Sequence, residues 1–139
     1  MKITSESNAL LLLIPPQVAT ATVTGSAVQF TPNNDPRCQA TAIAMVGGTP
    51  SAPTSFTVIY TITQSATSGG TYTTTATLPT ATGTNENQAY AVTLDTTKPF
   101  IKGVATIAFV GGSTPSVCIG LSILVKQNNA SASNGNALS

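Results

Sequence analysis

Few side chains in this chain could do chemistry. The carboxylates are Glu6, Asp35, Glu86 and Asp95, and no two lie close in sequence. An acid–base pair of the glycosidase kind would need two of them to meet in space. Histidine is absent. That removes the usual general base, the Ser-His and Cys-His nucleophile pairs and the commonest zinc ligand. The two cysteines, Cys38 and Cys118, are too few for a disulfide scaffold. Both fall on predicted strands and read as small buried hydrophobes. A bridge between them would require those strands to be neighbours, because the bond needs close Cα atoms. Tyr60, Tyr72 and Tyr90 have the chemistry of a sugar platform, yet at period-two positions tyrosine reads as sheet packing. Asn33, Asn34 and Asp35 lie between Pro32 and Pro36. Turn geometry explains them better than calcium, since no series of acidic ligands surrounds them. The expectation from these residues is a protein that is not an enzyme and takes no metal or cofactor.

The elements that must carry these residues follow from composition and pattern. At 139 residues the chain is one domain's worth, long enough to bury roughly two-thirds of its unfolded surface. Only 6% of it is charged, and the net charge is +1. Such a balance offers no electrostatic footprint for nucleic acid or an anionic membrane. Thr, Ser and Asn do the solvating instead, and Thr suits a pleated, half-wet surface. A neutral exterior repels its neighbours weakly, which suits a protein that lives in a packed assembly.

The organising stretch is Phe100 to Lys126, FIKGVATIAFV-GGSTPS-VCIGLSILVK. Two runs of β-formers flank a Gly/Pro turn, which predicts a hairpin. In the second run Val117, Ile119, Leu121, Ile123 and Val125 share one parity, whereas Cys118, Gly120, Ser122 and Lys126 share the other, with Leu124 the exception. Side chains alternate faces along a strand, so one face goes to a core. A weaker copy of the same wording, TAIAMVGGTPSAPTSFTVI, lies upstream at Thr41 to Ile59. It predicts a second hairpin in a related place of a two-sheet body. Turn chemistry by itself also selects Gly, Thr, Pro and Ser at such points.

Taken in order, the chain opens with a polar segment. A short apolar run follows, Leu10-Leu11-Leu12-Leu13-Ile14, and then Pro15-Pro16. The run is too short for a secretion signal or a membrane span. It is expected to be an arm or first strand, stopped by the double proline and docked so that its leucines are covered. Short strands are predicted at Val18 to Thr24, Ala27 to Thr31, Cys38 to Val46 and Thr54 to Gln64. Within the last, Phe56, Val58, Tyr60 and Ile62 share a face. Thr71 to Leu78 is polar on both faces apart from Tyr72 and Leu78, and reads as an edge. Ala89 to Leu94 is the next strand. After Lys126, QNNASASNGNALS has no periodicity and reads as a tail that other subunits would have to pin. Eight or nine short strands without helical period predict an all-β fold. The expected architecture is an antiparallel β-sandwich, jelly-roll-like or Ig-like, with an N-terminal arm (1–16), a body (17–127) and a C-terminal tail (128–139).

Ser55 to Lys126 resembles a family of small tailed-phage virion proteins, the head decoration or cement type and related auxiliary capsid proteins. The resemblance is carried by SFTVIYTITQSATSGGTYTT and by AYAVTLDTTKPFIKGVATIAFVGGSTPSVCIGLSILV. In such proteins a strand with a basic residue, then a GG-TPS turn and a last strand, closes the domain. Lys98 to Thr106 stands in that place, with Lys102 where the family often has Arg. The acidic residues that the family often carries in the loop matching Ser65 to Gly70 are missing. The resemblance implies a structural protein on the outer face of a bacteriophage capsid that bridges major capsid protein subunits. It further implies a homo-oligomer, trimer or dimer, with host cytoplasm as the place of assembly. The expected contact residues are Leu10, Leu11, Leu12, Leu13, Ile14, Pro15 and Pro16. The alternatives are another virion component (minor shell, tail or fibre) and a cell-surface adhesin or pilin-like module. In the latter, Lys102 and Asn128 or Asn129 would form a crosslink.

Overall fold

A computed structural model describes residues 7–29, 38–83, 87–94 and 98–127. Within them the chain forms ten strands. These are β1 (Ser7–Ala19), β2 (Val23–Thr24), β3 (Val28–Gln29), β4 (Cys38–Val46), β5 (Ser55–Ser65), β6 (Thr73–Thr77), β7 (Ala81–Thr82), β8 (Gln88–Leu94), β9 (Phe100–Val110) and β10 (Val117–Gln127). One sheet has the order β1-β10-β4-β8, and the other β2-β9-β5-β6, with β3 on β9 and β7 on β5. Every pairing is antiparallel. The protein is a β-sandwich. With the two-residue strands merged into their neighbours, four strands face four in the order of a jelly roll.

The core lies between the sheets, where the alternating residues meet. Phe56, Val58, Tyr60 and Ile62 of β5 are buried, as are Val117, Ile119, Leu121 and Ile123 of β10. β9 adds Ile101, Ala105 and Ile107. β4 turns Ala40, Ala42 and Ala44 inward, small side chains that leave depth for Tyr60. Gly103 on β9 marks a close approach of the two sheets. A Cβ there would lie 3.0 Å from the Leu13 Cβ and 2.5 Å from a Leu121 methyl, tighter than packed side chains tolerate. β6 is an edge strand, as its threonines predict.

The two segments Gly-Gly-Thr-Pro-Ser and Gly-Gly-Ser-Thr-Pro-Ser are not hairpin turns. β4 belongs to one sheet and β5 to the other, and β9 and β10 are likewise split. Each segment therefore arches across the core. The arches stack on one another. Ser116 N–H donates to Ser51 O at 2.9 Å, Cys118 N–H to Gly48 O at 2.9 Å and Thr54 N–H to Val110 O at 2.8 Å. Ser51 and Ser116 form a bridge between the strands' ends, and Ser51 N–H donates to Ser116 Oγ. The physical reason is the apolar load. A hairpin would leave β9 and β10 side by side, whereas an arch turns the buried row of each toward the other across the core. Gly111 and Gly112 take φ of 69° and 88°, a region that glycine enters without a Cβ penalty.

The expected arm at 1–16 is, from Ser7 onward, part of the body. β1 pairs with β10 along its length and runs on to Ala19. Pro15-Pro16 does not stop it. The two prolines lie inside β1 at its second register shift, between Ile14 and Gln17, where the strand bulges. An edge strand accepts proline there because its outer N–H groups have no partner to lose. The bend comes after Ala19, so the strand expected at Val18 to Thr24 divides between β1 and β2. Residues 1–6 and the tail expected at 128–139 lie outside the described residues.

Candidate functional site

The outward faces of the two sheets differ in chemistry. The six-stranded sheet is coated with threonine: Thr57, Thr61 and Thr63 of β5, Thr106 of β9, and Thr73, Thr74 and Thr77 of β6 all reach solvent at least in part. Its one described cation, Lys102, has its Nζ 4.3 Å from the centre of the Tyr72 ring. Such a cation–π contact holds the ammonium at the surface.

The four-stranded sheet turns apolar side chains outward. Leu10 is 62% exposed, Leu12 49% and Met45 45%, and Val18 and Leu124 are also exposed. Strand register arranges them in rows across the sheet. Leu10, Leu124, Thr41 and Thr93 form one row, and Leu12, Ser122, Ile43 and Ala91 the next. Gly120, Met45 and Ala89 follow, with Pro16 against Gly120, since a Cβ there would lie 3.7 Å from Pro16 Cα. Val18 and Cys118 make the last row. No charged residue stands in these four rows, and the first, Lys126, comes one row beyond Leu124. Contiguous exposed apolar side chains make this face the candidate interaction site.

The relief of the face comes from β10. Gly120 and Ser122 are buried by their taller neighbours, so β10 is a valley between β1 and β4. At one end the valley deepens into a groove of about 410 Å³ lined by Pro16, Val18, Met45, Gly47, Cys118 and Gly120. The floor is fixed from beneath. Tyr60, on the opposite sheet, is wholly buried. Its hydroxyl crosses the core, donates to Met45 O at 2.5 Å and accepts from Gly120 N–H at 3.4 Å. Burial pushes the phenol up to about 12, against a smaller lowering by the Gly120 hydrogen bond. Tyr60 is thus a bolt through the sandwich at the groove, and the expectation of sheet packing for it holds.

The expected contact residues divide. Leu13 and Ile14 are wholly buried and belong to the core, not to a contact surface. Leu11 is half-buried against that core. Leu10, Leu12, Pro15 and Pro16 are exposed, the first two on the apolar face and the prolines at its rim. The reason for the split is the bulge, which turns Leu13 and Ile14 inward in succession where strict alternation would send one of them out. Sequence reasoning missed Val18, Met45 and Gly120. The parity of β10 gave one signal, Leu124 standing among small residues. In β4 the signal was masked, because alanines point inward and Ile43 and Met45 outward.

The cysteines cannot bridge within the chain. Cys38 lies opposite Gln127 on β10, nine residues from Cys118. That is about 30 Å along a strand, against the ~7 Å limit for a disulfide. Cys118 is a free thiol, half-buried in the groove. Among the described residues no three His, Cys, Asp or Glu side chains gather into a metal site, and no helix is long and apolar enough to cross a membrane. Lys102 sits over Tyr72, and its expected crosslink partners, Asn128 and Asn129, lie outside the described residues. No protein-family model, curated protein or solved structure matches this chain.

Proposed function

We propose that this chain is a structural protein of a bacteriophage virion, which decorates the outer surface of the assembled capsid and stabilises it by bridging major capsid protein subunits. The observation that carries this reading is the contrast between the two outer faces: one wetted by threonine, the other apolar, uncharged and broad. A free monomer gains nothing from such a face, whereas a subunit of a larger assembly covers it. The jelly-roll order supports the reading, because viral capsid domains use that architecture. Lectin domains and cupins use it too, so the outer face, and not the fold, carries the reading. The resemblance of Ser55 to Lys126 to decoration proteins adds the location.

The mechanism is linkage. A protein that binds only the assembled lattice stabilises that lattice by its own binding free energy. Repetition over symmetry-related sites multiplies the effect through avidity. Assembly would take place in the host cytoplasm. Electron cryomicroscopy of tailed-phage particles that contain the chain tests the reading. Density for the sandwich on the outside of the head, across the junction of capsid subunits, is expected. Density on the tail or a fibre would replace this reading with the other virion role, and absence from purified particles would end both.

A further inference from the structure

We infer that the apolar face of the four-stranded sheet is covered by a second copy of the same chain, packed face to face about a two-fold axis that runs along the strands between β10 and β4. Shape is the reason. Rotation about that axis lays β1 over β8 of the mate and β10 over β4 of the mate, and keeps each row in place. In every complete row the tall residues then meet short ones. Leu10 lies over Thr93 and Leu124 over Thr41 in the first row. In the second, Leu12 lies over Ala91 and Ile43 over Ser122. In the third, Met45 lies over Gly120, the valley floor. Because the operation is two-fold, each of these contacts occurs twice. A face whose tall and short positions are exchanged by a two-fold operation is its own complement.

Extent and charge agree with the geometry. Four strands at about 4.8 Å spacing and rows spanning about 20 Å give roughly 400 Å² in projection. Side-chain relief raises the accessible area toward the ~800 Å² per partner of a stable dimer. Sheets packed in this way lie about 10 Å apart with strands within about 30°. The four rows hold no charge, so a like copy meets no repulsion, which a charged face would impose at once. This occupant does not depend on the virion reading; with the apolar face taken by the mate, the capsid contacts of a decorating unit would fall on its other surfaces, two sets per dimer.

Analytical ultracentrifugation of the purified full chain, with no capsid present, is the test. The wild type is expected to sediment as a dimer at about 10 µM. Met45→Lys and Gly120→Asp each place an unpaired charge twice in the interface. Each is expected to raise the dissociation constant about 30-fold or more, the scale of losing a central interface residue. Mixing the two variants sets the introduced lysine over the introduced aspartate once and leaves the native Met45 over Gly120 once, so a heterodimer is expected to re-form. Thr57→Glu, on the threonine face, is expected to leave the constant unchanged. Circular dichroism of each variant checks that it folds, and Leu12→Glu replaces any that does not. A wild type that is monomeric at about 100 µM, or that forms open-ended aggregates, overturns the inference. So do dimers that survive both variants, and a mixture that stays monomeric overturns the two-fold register. A dimer absent from phage heads would sink the virion reading and leave this one standing.

Discussion

Removing residues 1–16 distinguishes an appended arm from a structural strand. An arm would leave a folded body behind. In this sandwich the cut removes most of β1, and with it Leu13 and Ile14, both wholly buried. Truncating one buried Leu or Ile to Ala costs about 2–5 kcal/mol. The two are adjacent, so their costs need not add, but roughly 4–8 kcal/mol is a fair range for the pair. A domain of this size has about 5–15 kcal/mol in all. The deletion also strips the backbone partners of β10 from Leu121 to Gln127, a strand in the interior of the sheet. Residues 17–139 are therefore expected to be unfolded or molten at 25 °C. The control is the double variant Leu10→Ser, Leu12→Ser. Both side chains reach solvent in the single chain, so at a protein concentration low enough to hold the chain monomeric it should lower stability by about 1 kcal/mol or less. Urea denaturation followed by far-ultraviolet circular dichroism reads both. A fragment 17–139 that unfolds cooperatively at a urea midpoint near that of the whole chain would refute the placement of β1 in the core.

Two further outcomes follow from single residues. Tyr60 holds its proton up to about 12 when folded, against 10.0 when exposed. The folded state thus favours the protonated form, and the associated stability is full below about pH 10 and falls away as the pH rises toward about 12. Tyr60→Phe should cost about 1–2 kcal/mol at neutral pH through the lost hydrogen bonds and should flatten that alkaline loss in urea midpoints measured from about pH 8 to about pH 12. An undiminished loss would place its source elsewhere. Gly103→Ala pushes a methyl against Leu121 and Leu13 and should destabilise by about 1–3 kcal/mol, read as a lower thermal midpoint. An unchanged midpoint would mean that the sheets separate there without cost.

Strand identity was largely legible, because two-residue periodicity is written into β5 and β10. Phe56, Val58, Tyr60 and Ile62 all face the core as their parity predicts. β4 runs over Cys38–Val46, the predicted span. What the sequence could not convey was which strands share a sheet. A Gly-Thr-Pro-Ser loop of six or eight residues serves a hairpin and an arch equally well, and only the partner of each strand decides. The site was half legible. Leu10 and Leu12 stand out by their apolar run and do face outward, but a bulge turns Ile14 inward beside Leu13. Such a bulge depends on the edge position of β1, which is a property of the whole sheet. Met45 was invisible because every residue of AIAMV in β4 is apolar, so hydrophobicity does not say which parity goes inside.

The two like-worded segments sharpen that last point. IAMVGG runs through the end of β4, and IAFVGG through the end of β9. In β9 Ile107 is buried and Phe109 packs against the core, whereas Val110 is exposed. In β4 the order is inverted: Val46 is buried, Met45 is exposed and Ile43 is half-exposed. The same words are set one residue out of step, and a one-residue step exchanges the faces of a strand. Folding did not require that outcome to leave bulk outside. Threonine at 43 and 45 would suit the pleat as well as it does on the opposite sheet, and would remove an aggregation hazard. Alanines inward and Ile and Met outward put hydrophobic volume where the monomer cannot use it. That volume stabilises only a state in which the outer face is covered, and so the slip in β4 supports, independently of any likeness to other proteins, the proposal that a second copy packs on this face.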